Sequence, residues 1–436
     1  MSESLEKIYA AFDPSPLHAG QRDLYIDLDS VRGHSSTVRR MRQKILLSGD
    51  GTSCQVLTGH RGSGKSTELW QLQQALEVPK ENQNDRFFVV QVLADDELDR
   101  NDIDFPEVLI AIVRQTAKQL REREGIELKP GYFKGRWESL KNLLGSDVSF
   151  DGLDLDAGMA KISATIKNSP EAREKVRTAL EPDTSNWLHA ANDIIGEAML
   201  ELQKKNYRGL VIIVDDLDKM ITRPVKDAGC SSTEYLFVHR SAQLTAFKCH
   251  LVYTLPIELA YSHHETTIKR LYGGQLPVVP MTKIETPPPK PQRYADGFAK
   301  FHDIITARLI SAGASEIELF ESDAVRDDLI ALTGGQPTEL MTLIREAIVT
   351  EGLPITAKGV HRSRVEASRS YRRQLRSDHW PLIEEARRTG RIERTLANES
   401  AFRELLESRA LLLYLNDEEW YGVNPAIASL TPPAQP

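Results

Sequence analysis

Residues 59–66 carry a glycine-rich run of the kind that binds phosphate. The run reads GHRGSGKS, which fits the pattern G-x-x-x-x-G-K-[ST] at every fixed position. Glycines let backbone N–H groups curl around phosphate oxygens, and a helix that begins there presents its positive end. The lysine of the pattern reaches the β- and γ-phosphates, and the hydroxyl after it binds Mg²⁺. We predict a site for Mg·ATP or a close purine nucleotide, with contacts from Gly59, Arg61, Gly62, Ser63, Gly64, Lys65, Ser66 and Thr67.

A pair of acids follows the most apolar run of the chain. Residues 210–214 read LVIIV and lead directly into Asp215 and Asp216. A phosphate loop needs a carboxylate at the end of a neighbouring strand. We therefore predict that Asp215 holds Mg²⁺ through water and that Asp216 orients or deprotonates the attacking water. The alternative is a strand that ends in an acidic turn, with Asp218 as a helix cap.

A threonine ends another apolar run. Residues 250–256 read HLVYTLP, so Thr254 lies at the tip of the predicted strand. Its hydroxyl would hydrogen-bond the γ-phosphate or the lytic water. Threonine is also a common strand former, and this role at Thr254 stays an open alternative.

These residues need a parallel sheet to position them. Continuous β-branched runs predict strands covered on both faces, and helical periodicity between them predicts the covering helices. The fold class that follows is α/β, a P-loop NTPase core. The predicted strands lie at 55–58, 87–93, 210–214 and 251–255, with 278–279 as a candidate fifth.

The chain divides into four predicted segments. An arm and linker take residues 1–40, and the ATPase core takes 41–290, ending at the proline-dense TPPPKP. The more polar stretch 125–180 is interpreted as an insertion, a small mobile excursion from the sheet. A helical lid at 291–352 and a winged-helix-like domain at 353–436 complete the chain.

Composition narrows the class of protein. The net charge is −8 over 436 residues, so the whole molecule does not attract nucleic acid, and only a local basic patch would. The three cysteines are far apart, which argues against disulfides and a zinc framework and indicates a reducing compartment. His263 and His264 have one acidic neighbour, Glu265, and no zinc site is predicted there. No apolar run approaches the roughly 20 residues that span a bilayer, and we expect a cytoplasmic protein.

In their order along the chain, these pieces resemble the AAA+ superfamily, and within it the STAND signal-transduction ATPases and their origin-recognition-like relatives. The phosphate loop and VIIVDD match the family's Walker A and B elements, and Thr254 occupies the sensor-1 slot. VRG at 31–33 resembles the box that touches adenine, which implies that Arg32 contacts the nucleotide. Arg270 lies where an arginine finger would be.

The second half of the chain extends this resemblance. TGGQP at 333–337 resembles the lid signature, which implies that Gly335 and Pro337 contact the nucleotide. Residues 410–425 look like the strands of a winged helix that often follows the lid. Two departures, Asp216 in place of glutamate and Thr338 in place of a sensor-2 arginine, favour a slow switch over a processive motor.

The resemblance implies an ATPase of low turnover that acts as a molecular switch. It would assemble with itself, engage a separate effector protein, or both, and bacterial antiviral or stress signalling is a setting by resemblance alone. A DNA-acting AAA+ ATPase, a loader or transposition-type regulator that uses the winged helix, is the main alternative. A small-molecule kinase is a third reading, for which the lid and the tail are surplus.

Two sets of arginines keep alternatives open. Arg270 is either a finger that completes a neighbour's site, with Arg240 as a lesser candidate, or a surface residue without a role. The arginine-rich stretch 362–394 would bind a nucleic-acid backbone, dock an acidic partner, or form a solvated helix face paired with its own glutamates. Its arginines are Arg362, Arg364, Arg369, Arg372, Arg373, Arg376, Arg387, Arg388, Arg391 and Arg394.

Overall fold

The structure is a computed structural model of the chain. It describes residues 3–33, 36–49, 51–79, 83–128, 155–226, 228–416 and 418–431, together with 135, 139, 140 and 144. From the N-terminus, its first elements are α1 (Glu3–Ala11), α2 (Thr37–Leu47), β1 (Cys54–Thr58), α3 (Lys65–Glu77), β2 (Phe87–Leu93), α4 (Ala94–Glu97), α5 (Phe105–Glu124), α6 (Leu155–Asn168), α7 (Pro170–Leu180), α8 (Thr184–Lys204) and β3 (Gly209–Asp215). The elements that follow are α9 (Ser232–Glu234), α10 (Ser241–Leu244), β4 (His250–Leu255), α11 (Ile257–Ala260), α12 (Glu265–Leu271), α13 (Ala295–Ala312), α14 (Glu316–Leu319), α15 (Asp323–Leu332), α16 (Pro337–Glu351), α17 (Ala357–Gln374), α18 (Trp380–Thr389), α19 (Glu399–Glu407), β5 (Leu411–Asn416) and β6 (Glu418–Val423).

The chain folds into two compact units, each of which draws on separate stretches of sequence. The sheet unit comprises residues 38–58 and 71–277. The P-loop unit comprises residues 1–37, 59–70 and 278–436. Each unit is described by itself below.

The sheet unit is built on four parallel strands in the order β1-β4-β3-β2. Every residue of β3 and β4 is buried, which explains their continuous apolar sequence. The predicted α/β class is thereby confirmed. Residues 278–279 do not form a fifth strand among the described residues, and the prolines that flank them, Pro277 and Pro280, lack the N–H donor that a central strand needs.

Helices α5 to α8 form a helical layer of the sheet unit. Helix α5 begins with Asp104 as its N-cap in a reciprocal capping box with Glu107. Arg177 of α7 donates to Glu107 and to Asp102, with both N···O distances 2.9 Å. Within the predicted insertion, α6 and α7 are therefore packed helices, whereas residues 125–128 are not helical. The interpretation of the insertion as a mobile excursion from the sheet stays a prediction. Except for 135, 139, 140 and 144, the rest of that prediction lies outside the described residues.

The P-loop unit has a helical core. Helices α13, α15 and α16 bury their apolar faces together, and Ile8 of α1 and Phe12, the residue after α1, join the same cluster. Three further helices, α17 to α19, precede the antiparallel hairpin of β5 and β6. In this hairpin Tyr414 stacks on Trp420, with ring centroids 4.1 Å apart. Assigning these last elements to a winged helix, like the predicted domain boundaries, remains a prediction.

None of the helices described has both the length and the apolar character that crossing a membrane requires.

Candidate nucleotide site

The phosphate loop begins at Gly59, immediately after Thr58 ends β1. Gly59, Gly62 and Gly64 all have positive φ angles of 148°, 80° and 100°. A Cβ atom on Gly59 would collide with the carbonyl oxygen of Val279. Glycine is therefore required at these positions by backbone conformation and, at Gly59, by close approach as well.

Lys65 starts α3 and points back into the loop. Its ammonium donates to the carbonyl oxygens of Gly59 and His60, at 2.8 and 2.9 Å. Ser66 and Thr67 follow in the first turn and are half-buried. The hydroxyl of Ser63 is buried and has no hydrogen-bond partner within the described part of the chain. An unsatisfied buried hydroxyl two residues before the lysine that begins α3 fits a phosphate group, which would supply acceptors to both side chains.

Arg32 lies behind this loop, fully buried. Its guanidinium donates to the carbonyl oxygen of Ser63 at 2.5 Å and to Thr282 Oγ1 at 3.3 Å, and it pairs with Glu68 at 3.3 Å. Burial raises the pKa of Glu68 to about 7, while Arg32 opposes that rise. Arg32 thus braces the loop from within the protein, and its contact with adenine remains a prediction.

The predicted lid signature contacts the loop backbone. Gln336 Nε2 donates to the carbonyl oxygen of Arg61 at 2.8 Å. The backbone N–H of Thr338 donates to the carbonyl oxygen of Gly62 at 3.4 Å. Gly335 has φ 78°, and a Cβ there would collide with the carbonyl oxygen of Thr282. Pro337 is the first residue of α16. The structure therefore brings Gln336 and Thr338 to the phosphate loop, and the contacts of Gly335 and Pro337 with nucleotide remain a prediction.

His60, at a variable position of the motif, forms two side-chain hydrogen bonds with the C-terminal part of the chain. His60 is fully buried; its Nδ1 donates to the carbonyl oxygen of Leu406 at 3.2 Å, and its Nε2 accepts from the N–H of Leu413 at 2.9 Å. Burial lowers the pKa of His60 to about 3, and the charges of Lys65 and Arg409 add to this effect. The imidazole is therefore neutral, with its proton on Nδ1.

The acid pair lies in the sheet unit at the carboxyl end of β3. Asp215 is buried, and its Oδ1 accepts from the N–H of Asp216 at 2.7 Å. Asp216 adopts the left-handed conformation, φ 67°, which is costly for a residue with a side chain and clusters at functional sites. The Thr254 hydroxyl accepts from the N–H groups of Leu217 and Asp218, at 3.0 and 3.4 Å. Thr254 thus holds the turn that carries Asp216, and its contact with a phosphate or water remains a prediction.

Lys219 forms an ion pair with Asp216, the candidate catalytic base. Its ammonium lies 2.5 Å from Asp216 Oδ1 and 3.1 Å from Asp95 Oδ2. Burial raises the pKa of Asp216; Lys219 lowers it, and the carboxylates of Asp95 and Asp218 raise it further. The ionisation of Asp216 is thus a balance between desolvation and nearby carboxylates, which oppose it, and Lys219, which favours it.

The two arginine-finger candidates differ in their surroundings. Arg270 is exposed on α12, and among the described residues it makes no ion pair. Arg240 is paired with Glu181 at 2.8 Å and Asp104 at 3.4 Å. Arg240 is therefore paired within its own unit, and Arg270 is the candidate that is exposed.

Eight of the ten arginines in the arginine-rich stretch fall into two groups. Arg362, Arg376, Arg387 and Arg391 pair with glutamates or an aspartate of the same unit. On α17, four exposed arginines form no ion pair with any described residue: Arg364, Arg369, Arg372 and Arg373.

Three residues of the site carried no signal in the sequence. His60 occupies a position where the motif accepts any residue, Gln336 lies between two lid residues, and Lys219 is one of many lysines. Only their hydrogen bonds in the fold identify them. Arg409 is a fourth, because its guanidinium reaches Gln336 Oε1 at 3.4 Å from far along the chain.

A phosphate loop after β1 and an acidic β3 in a parallel sheet define a P-loop NTPase fold. No family profile and no curated protein matches this sequence. Among solved structures, the chain is similar to the origin-recognition protein ORC2 of Aeropyrum pernix, in complexes with ADPNP and ADP, at 11% identity and TM-score 0.43, covering 95% of this chain and 93% of that one. It is similar to the Walker-type ATPase of Pyrococcus abyssi at 15% identity and TM-score 0.44, covering 96% and 99%.

A third similar structure is the ORC1 protein of Aeropyrum pernix in complex with DNA. Identity is 15% and the TM-score is 0.36, with 93% of each chain covered. At these TM-scores the likenesses are broad, and they carry no information on the activity or partners of this chain.

Proposed function

We propose that this protein binds Mg·ATP at the phosphate loop and hydrolyses it slowly, as a conformational switch. The observation that carries the proposal is the set of bonds from the loop to the second half of the chain. His60 bonds to residues 406 and 413, and the carbonyl oxygens of Arg61 and Gly62 bond to residues 336 and 338. A change of loop conformation on nucleotide binding would reach all of these segments.

Each predicted site residue has a role in this proposal. Lys65 would exchange its bonds to loop carbonyls for phosphate oxygens, while backbone N–H groups of residues 62–67 hold the β-phosphate. Gly335 and Pro337 would close over the nucleotide, with Arg32 bracing the loop beneath it. Mg²⁺, held by Ser66 and through water by Asp215, would neutralise charge on the phosphates.

Hydrolysis would depend on Asp216 as general base. Its carboxylate would accept a proton from the attacking water, and the Thr254 hydroxyl would keep the Asp216 turn in place. Lys219 would keep Asp216 ionised but reduce its basicity. A base weakened in this way suits slow turnover, which is what a switch requires.

The switch would work by shifting a population. ATP moves the equilibrium between two conformations only as far as it binds one more tightly than the other. The favoured conformation would form a homo-oligomer or engage a separate effector protein. Arg270, exposed on α12, would complete the site of a neighbouring copy.

Light scattering after size exclusion tests this proposal. Wild type and Lys65→Ala are each run without nucleotide, with Mg·ADP and with a non-hydrolysable Mg·ATP analogue. We expect a change of mass or hydrodynamic radius in wild type with the analogue alone, and its loss in Arg270→Ala. An analogue that binds wild type without changing either quantity, alone or with added DNA, would contradict the switch.

The four exposed arginines of α17 support a second function, duplex DNA binding. Unpaired arginines on one helix supply the phosphate contacts that make such binding strongly salt-dependent. We expect Arg369→Gln with Arg372→Gln and Arg373→Gln to weaken binding and to flatten its dependence on salt. Arg391→Gln, an arginine already paired with Glu418, is the matched control. Equal binding by all of these variants would exclude α17 as the DNA surface.

A further inference from the structure

Three metal-ligating side chains meet in the sheet unit, away from the phosphate loop in sequence. Glu234 ends α9, and His263 and His264 directly precede α12. One donor atom of each side chain lies within 4.8 Å of the others. His264 Nε2 is 2.5 Å from Glu234 Oε1, and the two imidazole centroids are 3.9 Å apart. Folding thus supplies an acid that the sequence around the histidines did not predict.

Backbone contacts hold these donors in place. Ser231 Oγ accepts from the N–H of Glu234 at 3.3 Å, and Ser231 N–H donates back to Glu234 Oε2 at 3.4 Å. This capping box occupies one carboxylate oxygen and turns the other, Oε1, towards the histidines. On the other side, the N–H of His264 donates to Ser262 Oγ at 3.1 Å. Both halves of the cluster are therefore anchored before any ligand arrives.

The donor set selects a class of metal. Two imidazoles and one carboxylate suit Zn²⁺ and similar first-row dications, whereas Mg²⁺ prefers an all-oxygen octahedron. In a tetrahedral site with bonds of about 2.1 Å, neighbouring donors are roughly 3.4 Å apart. The His264–Glu234 contact would open by about 0.9 Å, and the widest pair would close. Side-chain rotation suffices, since His263 is exposed and the other two side chains are half-buried.

We propose that Glu234, His263 and His264 form a binding site for a transition-metal dication of the Zn²⁺ class, with water as its fourth ligand. This site goes beyond the nucleotide switch and does not depend on it. Metal binding would tie the start of α12 to α9 and so restrain the helix that carries Arg270. The reaction forms metal–ligand bonds and displaces bound water, with no change of oxidation state.

Metal titration of the full-length protein tests the proposal. After removal of metals with a chelator, Zn²⁺ and Co²⁺ are titrated by calorimetry and visible absorption, in millimolar Mg²⁺ and without nucleotide. We expect one Zn²⁺ per chain and a Co²⁺ spectrum of four-coordinate type. Glu234→Gln and the double variant His263→Ala with His264→Ala should each lose at least about tenfold in affinity.

Controls separate this site from other histidines and from folding. His189 is exposed in the same unit and pairs with Asp193 at 3.2 Å, so His189→Ala should bind as wild type does. Circular dichroism establishes that each variant is folded, and Glu234→Gln keeps the size of the side chain and one acceptor oxygen while it removes the charge. Equal affinity in wild type and all variants, or no Zn²⁺ bound by wild type, would overturn the proposal.

Discussion

The imidazole of His60 accepts a hydrogen bond from the backbone N–H of Leu413, with Nε2 and N 2.9 Å apart. His60 belongs to the phosphate loop and Leu413 to β5, more than 350 residues later. The other ring nitrogen donates to Leu406 at the end of α19. One side chain therefore joins the loop to a helix and a strand of the C-terminal segment, with both of its nitrogens used.

We predict that His60→Ala destabilises the P-loop unit. The substitution removes the His60 partner of the Leu413 N–H and one of the donors to the Leu406 carbonyl, which still accepts from the N–H of Arg409 at 3.2 Å, and it opens a cavity beside them. Together these changes should cost roughly 2–4 kcal/mol in the free energy of unfolding, measured by urea denaturation. Arg61→Ala is the matched control, because Arg61 is exposed and its partner Gln336 binds its backbone carbonyl, which the substitution keeps. An equal loss of unfolding free energy in both variants would show that the His60 hydrogen bonds do not stabilise the P-loop unit.

The neutral His60 also predicts a pH dependence of stability. Its pKa is about 3 in the folded protein, against 6.5 when unfolded. Between these values the unfolded state binds the additional proton, so stability is full above pH 6.5 and falls as the pH drops. The decline attributable to His60 should approach about 1.4 kcal/mol per pH unit.

Comparison with His60→Gln isolates this contribution from other titrating groups. Glutamine can hydrogen-bond but does not titrate in this range. The difference in unfolding free energy between wild type and His60→Gln should therefore shift in favour of the variant as the pH falls from 6.5 to 4.5. A difference that stays constant over that interval would mean that His60 is protonated in the folded protein.

Lys219 should set the acid limb of the ATPase pH profile. Because its ammonium favours ionised Asp216, Lys219→Met should raise the pKa of Asp216. The rising limb of kcat against pH should move to higher pH, with a higher plateau if basicity limits the reaction. Lys269→Met, which removes a surface partner of Glu265, should leave the profile unchanged. If the rising limb of the kcat–pH profile does not shift in Lys219→Met, Asp216 is not the general base.

We predict that Arg308 lowers the free energy of unfolding of the protein. It is buried in α13, its Nε has no hydrogen-bond partner among the described residues, and burial lowers its pKa to about 10. Arg308→Met should therefore raise the free energy of unfolding by about 1 kcal/mol. Arg345 in the same unit pairs with Asp13 at 3.6 Å and covers Tyr9, so Arg345→Met should lose stability instead. A fall in stability for Arg308→Met would mean that its charge is compensated in solution.

Much of the sheet could be predicted because its residues signal their environment locally. Strand β3 has an unbroken apolar run at 210–214, and β2 and β4 are apolar apart from Gln91 in the first and His250 and Thr254 in the second. A strand buried on both faces needs such a composition. The phosphate loop was predictable for a related reason. Gly59, Gly62 and Gly64 have positive φ angles, which favour glycine. The glycines of the motif therefore indicate the backbone conformation of the loop.

The contacts that sequence could not predict all join residues distant in the chain. His60 meets Leu413, Lys219 meets Asp95, and His264 meets Glu234. The sequence around each of these residues does not indicate its partner, because histidine, lysine and glutamate are each common at solvent-exposed positions. The helices α6 and α7 were read as polar for the same reason. The two arginines of α7, Arg173 and Arg177, pair with acids far back in the chain, at Asp99, Asp102 and Glu107.

Binding of nucleotide to the phosphate loop is the claim on which the rest depends, and calorimetry tests it most directly. Wild type and Lys65→Ala are titrated with a non-hydrolysable ATP analogue in the presence of Mg²⁺, after circular dichroism shows that both are folded. We predict one site per wild-type chain with a micromolar or lower Kd, and a loss of at least about 100-fold in Lys65→Ala, since the ammonium pairs directly with phosphate. Equal affinity in the two proteins, or no binding by wild type, would contradict the account.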